Sequence, residues 1–270
     1  MLDPSPTHHR PRISTHPPFP RILCAVDDGA STDAAIEQAI AIAGTDSRVV
    51  FAANWYGAAS AECDARAHAA VDRAVARARE AGVAARAEFF HSPRLGDALL
   101  DATAMNDLVV VGAHSHARVT GIVLGEIATQ LVHRCAVPVL VARERPMASG
   151  VVAATRAWPG DRPAVTAGTH IAARLGAELT VVHVLERDNG ERRAELHAEL
   201  ANARALLGRP VDYYQQSGPA ARAIVEAAQD DGAGLVVVGS DHRGGLSALA
   251  SVSERVAHLA PCSVLVMRGK

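Results

Sequence analysis

The chain has 270 residues, of which 49% are hydrophobic but only 3% aromatic, and its formal net charge is −2. This length allows two ordinary domains with cores of Ala, Val, Leu and Ile. The balanced charge does not imply a broad polyanion-binding surface, so nucleic acid is not a predicted partner. Lys270 is the only lysine, which excludes a phosphate loop of the G-x-x-x-x-G-K type.

The sequence carries no membrane or secretion signal. No apolar run approaches the ~18 residues that span a bilayer. The four cysteines form neither a C-x-x-C pair nor a zinc pattern, which is typical of a reducing compartment. We therefore expect a cytoplasmic protein without membrane contact. Residues 1–19 are rich in proline and lack the apolar core of a signal peptide, so they are predicted to form a disordered tail.

After the tail, short apolar runs alternate with helical patterns. In the first half, strands are predicted at 21–27, 48–53, 85–91, 108–112 and 138–142. The first helix is predicted to begin at a cap formed by Ser31 or Asp33, and the later ones lie at 61–81, 94–105 and 125–134. This alternation indicates crossover connections and a parallel sheet with helices on both faces.

The second half repeats the first. Residues 107–112 read D-L-V-V-V-G and 234–239 read G-L-V-V-V-G, and the later runs P-V-L-V-A-R and S-V-L-V-M-R occupy 138–143 and 263–268. The second set of strands is predicted at 151–155, 178–184, 211–215, 235–239 and 263–267, with helices at 163–174, 191–207, 219–229 and 252–259. A period of roughly 125 residues is that of a domain. We predict domains at 20–146 and 147–270.

These elements, with D-D-G-A-S at 27–31 and R-G-G-L-S-A-L-A-S-V-S-E-R at 243–255, resemble the universal stress protein family over nearly all of residues 21–270. The resemblance implies two tandem doubly wound α/β domains, each with a five-stranded parallel sheet of order 3-2-1-4-5. Ligands of such sheets bind beyond the carboxyl ends of the strands, where the strand order reverses. Asp27 and the loop after Gly112 are thereby expected to line one crevice.

Nucleotide-binding members of this family carry G-x-x-G, nine residues, and then G-S or G-T on that loop. Glycines let backbone N–H groups approach phosphate oxygens, and the helix that follows directs its positive end at the anion. The resemblance implies that Asp27 holds the nucleoside portion. The candidate phosphate-facing residues are Gly112, Ser115, Arg118, Gly125 and Glu126.

Two of these positions depart from the motif. Ser115 replaces the second glycine, and Glu126 replaces the closing Ser or Thr. A carboxylate at a helix N-terminus interacts favourably with the helix dipole. Glu126 is therefore either an ordinary first-turn acid or a plug that occupies the anion site and favours a less charged ligand. ATP binding is expected to be weak or absent.

The second domain departs further. His242 and Ala250 replace loop glycines, and Thr155 or Arg156 stands where the first domain has Asp27. We expect any nucleotide binding to be confined to the first domain. His114 and His116 suggest a metal site, but two histidines in a polar loop are more often solvated, and no metal is predicted.

No nucleophile elbow, Ser-His-Asp arrangement or carboxylate pair stands out. We predict a non-enzymatic stress-response protein that binds an adenine nucleotide, another small ligand or an unidentified protein partner. The alternatives are a weak ATP-binding and ATP-hydrolysing protein and a scaffold without a ligand.

The resemblance places each fifth strand at a sheet edge, and exposed edges invite pairing. We predict an intramolecular pseudo-dimer through Val139, Val141, Val264 and Val266, with a homodimer left open.

Overall fold

The computed structural model of the chain describes residues 18–27, 29, 31–54, 61–113, 124–157, 162–185, 190–240 and 251–268. The strands of the first domain are β1 (Arg21–Ala25), β2 (Arg48–Asn54), β3 (Ala84–Phe90), β4 (Leu108–Gly112) and β5 (Val139–Ala142). Its helices are α1 (Thr32–Ile42), α2 (Ala61–Glu80), α3 (Leu95–Ala102) and α4 (Glu126–Arg134).

The second domain has the same element order. Its strands are β6 (Val151–Thr155), β7 (Leu179–Leu185), β8 (Asp212–Ser217), β9 (Leu235–Ser240) and β10 (Ser263–Arg268). Its helices are α5 (Arg162–Leu175), α6 (Gly190–Leu207), α7 (Ala220–Asp230) and α8 (Val252–Leu259).

All ten strands form one sheet of order β3-β2-β1-β4-β5-β10-β9-β6-β7-β8. Each domain therefore has the order 3-2-1-4-5, and every strand pair within a domain is parallel. The predicted fold class is confirmed. The strand order reverses between β1 and β4 in the first domain and between β6 and β9 in the second, which is where ligands of doubly wound sheets bind.

Several element ends differ from the prediction. The first strand ends at Ala25 instead of residue 27, because the Asp27 side chain bonds to the turn that follows. The helix predicted at 94–105 ends at Ala102 and continues as a 3₁₀ turn at Thr103–Met105, a common way for a helix to finish. Phe19, which the sequence placed in the tail, is buried in the core, and residues 1–17 lie outside the described residues.

The two domains meet at their fifth strands. β5 and β10 pair antiparallel through the four valines that the sequence predicted, with Val139 opposite Val266 and Val141 opposite Val264. On one face of the sheet, a cluster of buried apolar side chains containing Leu140 runs across the seam, and on the other face a second cluster containing Val139 does the same. Each core is therefore shared between the domains.

Two arginines also cross this seam: Arg268 is buried and Arg143 is partly buried. Arg143 follows β5, and its guanidinium donates to the main-chain oxygens of Ala257 and Cys262 at 2.6 and 3.1 Å. Arg268, at the end of β10, donates to those of Leu131 and Val132 at 3.3 and 2.5 Å. Each arginine thus binds a carbonyl group in the last turn of the other domain's final helix, Ala257 for Arg143 and Val132 for Arg268, where carbonyls commonly lack helical partners. We call this arrangement the reciprocal arginine caps.

The repeated runs D-L-V-V-V-G and G-L-V-V-V-G differ in their first residue, Asp107 in one and Gly234 in the other, and packing explains the difference. In the first domain Asp107 accepts hydrogen bonds from the Arg21 side chain at 3.0 and 2.8 Å. In the second domain the corresponding residue is Gly234, over which the chain between the domains passes. A Cβ atom at Gly234 would lie 1.8 Å from the Pro146 carbonyl oxygen and 2.8 Å from Met147 Cα. Only glycine leaves room for this backbone crossing.

We therefore expect Gly234→Ala to lower the free energy of unfolding by about 1–3 kcal/mol, because two backbone segments must separate. Urea denaturation would measure the change. Asp107→Ala is the matched control, since that position already carries a Cβ atom. It loses a partly exposed ion pair and a hydrogen bond from the Arg21 N–H, together worth about 1 kcal/mol. Equal stability of Gly234→Ala and the wild type would contradict the steric explanation.

Candidate functional site

A crevice opens at the strand-order reversal of the first domain. The empty space in it is about 450 Å³ when the open solvent at its mouth is included. The carboxyl ends of β1, β2 and β4 and the first turns of α1, α3 and α4 surround it. The described lining residues are Ala25, Val26, Asp27, Ser31, Thr32, Ala52, Leu95, Val111, Gly112, Gly125, Ile127 and Ala128.

Asp27 is half-buried at the edge of this crevice, where its carboxylate is fixed by the turn that begins α1. Oδ1 accepts hydrogen bonds from the Gly29 N–H, at 2.8 Å, and from the Thr32 hydroxyl, whose oxygen in turn accepts from the Asp27 N–H at 3.2 Å. A Cβ atom at Gly29 would lie 2.9 Å from Oδ1, so glycine permits the tight turn. The described contacts of this turn are thus made through Oδ1.

Ser31 packs against Gly112, and this contact brings the start of α1 against the end of β4. A Cβ atom at Gly112 would lie 2.3 Å from the Ser31 hydroxyl oxygen and 2.9 Å from its Cβ atom. Ser31 precedes α1 at the predicted capping position, but its side chain makes no capping hydrogen bond. Asp33, the other predicted cap, is exposed and pairs with Arg77 at 2.9 Å. The prediction that one of these side chains caps α1 is therefore wrong, because Ser31 packs on Gly112 and Asp33 faces outward.

Gly125 and Glu126 begin α4 on the opposite side of the crevice. The Gly125 N–H donates to the Ala113 carbonyl at 2.8 Å, which closes the base of the loop between them. Gly125 has φ −63° and ψ 160°, a conformation open to any residue. The Glu126 side chain is exposed, whereas Ile127 and Ala128 line the crevice. Glu126 is exposed and does not line the crevice, which favours its interpretation as an ordinary first-turn acid over the predicted plug.

Sheet register identifies the residue that replaces Asp27 in the second domain. Ile22 pairs with Leu108 in β4, and Val151 pairs with Leu235 in β9, the equivalent residue of the repeat. Asp27 lies five residues after Ile22, and the residue five positions after Val151 is Arg156. The charge at this position is therefore reversed between the domains.

The turn after β6 also differs from the turn after β1. The Thr155 hydroxyl accepts a hydrogen bond from the Ala157 N–H at 2.8 Å, and Ala157 takes φ +52°. The buried His183 ring contacts the Thr155 carbonyl at 3.1 Å. A hydroxyl one residue before the Asp27 position thus holds the turn in place of a carboxylate.

Of the predicted site residues, the structure brings together Asp27, Gly112, Gly125 and Glu126 around one crevice. Ser115 and Arg118 lie outside the described residues, as do His114 and His116. Sequence reasoning did not single out Thr32 as a partner of Asp27, although a hydroxyl directly after D-D-G-A-S was the available signal. It also missed Leu95, because only the fold brings α3 to this crevice.

The described part of the chain offers neither a metal site nor a reactive thiol. No group of three or more His, Cys, Asp or Glu residues there is arranged to hold a metal ion. Burial raises the pKa of the Cys24, Cys135 and Cys262 thiols, so these groups are protonated and unreactive near neutral pH. None of the described helices combines the length and apolar character needed to cross a bilayer.

The sequence profile described as the universal stress protein family matches residues 18–143 and 150–268. The chain is similar to a crystal structure from Pseudomonas aeruginosa UCBPP-PA14 that is described as a universal stress protein. The two sequences are 19% identical, and the structures superimpose with a TM-score of 0.74 over 93% of this chain and 94% of that chain. A universal stress protein from Archaeoglobus fulgidus DSM 4304 is 17% identical, with the same TM-score over 93% and 97%. No curated protein matches the chain. Since the profile covers both domains, the chain belongs to the universal stress protein family.

Proposed function

We propose that this protein serves the cytoplasmic stress response by binding a small nucleoside-containing ligand in the first-domain crevice without chemically converting it. The observation that carries the proposal is the position of Asp27 at the strand-order reversal, beside a largely apolar floor. Because Oδ1 is held by Gly29 and Thr32, the carboxylate is oriented before a ligand arrives. Oδ2 is then the oxygen that accepts a hydrogen bond from a ligand hydroxyl or amine.

The second domain serves as a structural partner in this proposal. Arg156 reverses the charge at the Asp27 position, so a donor group on the ligand would meet a cation there instead of an acceptor. The shared cores and the reciprocal arginine caps give this domain a packing role that requires no ligand.

Asp27→Asn is expected to weaken ligand binding by about tenfold or more, because a charge-assisted hydrogen bond becomes a neutral one. Equilibrium dialysis of the full chain with radiolabelled adenosine, AMP and ATP would measure the dissociation constants. Phosphate release from ATP, followed in parallel, is expected to match the rate without protein.

Two variants serve as controls for this experiment. Asp33→Asn makes the same chemical change on an exposed side chain of α1, and Arg156→Gln alters the equivalent position of the second domain. Both are expected to bind like the wild type. An equal loss of binding in Arg156→Gln would contradict confinement to the first domain, and ATP turnover abolished by Asp27→Asn would show catalysis at this site.

A further inference from the structure

We propose that the first-domain crevice selects nucleosides with little or no negative charge over nucleoside triphosphates. This inference rests on the proposed function and specifies its ligand class. Three features of the crevice support it. Its floor is apolar, its described charged side chains are acidic, and two glycines of the family's phosphate-binding motif make contacts within the protein instead of facing an anion.

The floor suits an uncharged planar group. Its apolar side chains come from three strands and two helices, and they include Val26, Ala52, Leu95, Val111 and Ile127. Such a surface buries the face of a heterocycle at a gain of roughly 25 cal/mol per Å² of apolar area. These apolar side chains themselves offer a phosphate oxygen no hydrogen-bond donor in exchange for its water.

The charged side chains that the structure describes at this crevice are acidic. Among the described lining residues, Asp27 carries the only charged side chain. Glu126 adds an exposed carboxylate in the first turn of α4, between the lining residues Gly125 and Ile127. A sugar hydroxyl or an exocyclic amine is attracted to Asp27, whereas a triphosphate bound in the same crevice lies within range of both carboxylates. Two like charges about 5 Å apart repel even in water, and weaken binding several-fold at low ionic strength.

Gly112 and Gly125 both make close contacts within the protein. The space beside Gly112 into which a side chain would point holds the Ser31 side chain. The Gly125 N–H donates to the Ala113 carbonyl at 2.8 Å. Glycine at position 112 is therefore required for α1 to pack on β4, and the Gly125 amide is not available to a phosphate oxygen. Contacts within the protein therefore account for both motif glycines without a bound phosphate.

The test compares adenosine, AMP and ATP by isothermal titration calorimetry with the full chain, at 20 mM and at 500 mM salt. We expect adenosine to bind at least tenfold more tightly than ATP, with AMP between them. Glu126→Gln should leave adenosine affinity unchanged and improve ATP affinity about threefold to tenfold at low salt. This gain should shrink at high salt, where exposed charges are screened. Glu226→Gln, an exposed acid of the second domain, should leave all three affinities unchanged.

Each other outcome overturns the inference in a recognisable way. ATP binding as tightly as adenosine, or an unchanged ATP affinity in Glu126→Gln, overturns the selectivity and leaves the proposed function intact. If adenosine, AMP and ATP all fail to bind, the proposed function and the inference fall together. An equal gain in ATP affinity at both salt concentrations would show that Glu126 acts by shape and not by charge.

Discussion

Replacing Val264 with Asp is expected to lower the free energy of unfolding by about 4 kcal/mol or more, a large part of the stability of an ordinary domain. Val264 is fully buried, and it pairs with Val141 across the antiparallel junction of the two domains. A carboxylate at this position loses its water among apolar side chains of both domains. Val139→Asp, in the same junction opposite Val266, should have an effect of similar size.

Urea denaturation would measure the loss of stability, and size-exclusion chromatography would report whether the chain expands. Val252→Asp is the matched control, because Val252 is 40% exposed in the first turn of α8, where an acid interacts favourably with the helix dipole. Its stability should lie within about 0.5 kcal/mol of the wild type. If Val139→Asp and Val264→Asp leave both stability and hydrodynamic size unchanged, these strands do not hold the domains together.

The sequence was sufficient to predict this junction because its signal is both local and repeated. Each fifth strand is a short apolar run after a helix, and the order 3-2-1-4-5 implied by the family resemblance puts both strands at sheet edges. Val139 and Val264 occupy equivalent positions of the repeat, which is what a twofold pairing requires. The register itself, with Leu140 opposite Leu265, became known only from the structure.

The candidate site was less predictable, because its chemistry depends on contacts between distant parts of the chain. Asp27 and Gly112 were assigned to one crevice through strand order. The motif, however, suggested that Gly112 faces a phosphate, whereas the structure shows that it accommodates Ser31. Likewise, the spacing of Glu126 could not reveal that its side chain is exposed. A glycine in a motif does not indicate which neighbour requires it.

The reciprocal arginine caps were also overlooked, although both copies of the repeat display them. The runs P-V-L-V-A-R and S-V-L-V-M-R each end in arginine, at Arg143 and Arg268. A basic residue at the end of a strand is usually interpreted as a side chain exposed to solvent. Its role here depends on the other domain's helix lying across the junction, which periodicity within a single strand does not encode.

We expect Arg268→Leu to lower the free energy of unfolding by about 2 kcal/mol, and Arg143→Leu to do the same. Two opposing effects set this value. Burial lowers the pKa of Arg143 to about 10 and lowers that of Arg268, so both charges are held at a desolvation cost that leucine removes. Against this, leucine leaves the Val132 and Ala257 carbonyls without the arginine donors, and an orphaned buried acceptor costs about 1–3 kcal/mol. We expect the loss of the caps to dominate.

Lysine at the same positions separates charge from geometry. A single ammonium cannot reproduce the Arg268 guanidinium, which reaches the Ser240 hydroxyl with one nitrogen and the α4 carbonyls with the other. Arg268→Lys keeps the buried charge and loses part of the cap, so it should be less stable than Arg268→Leu in urea denaturation. Arg222→Leu, which breaks an exposed pair with Glu226, should change stability by no more than about 0.5 kcal/mol. A lysine variant as stable as the wild type would show that positive charge alone holds the helix ends. A double leucine variant of unchanged stability would show that the caps contribute nothing and that the apolar junction suffices.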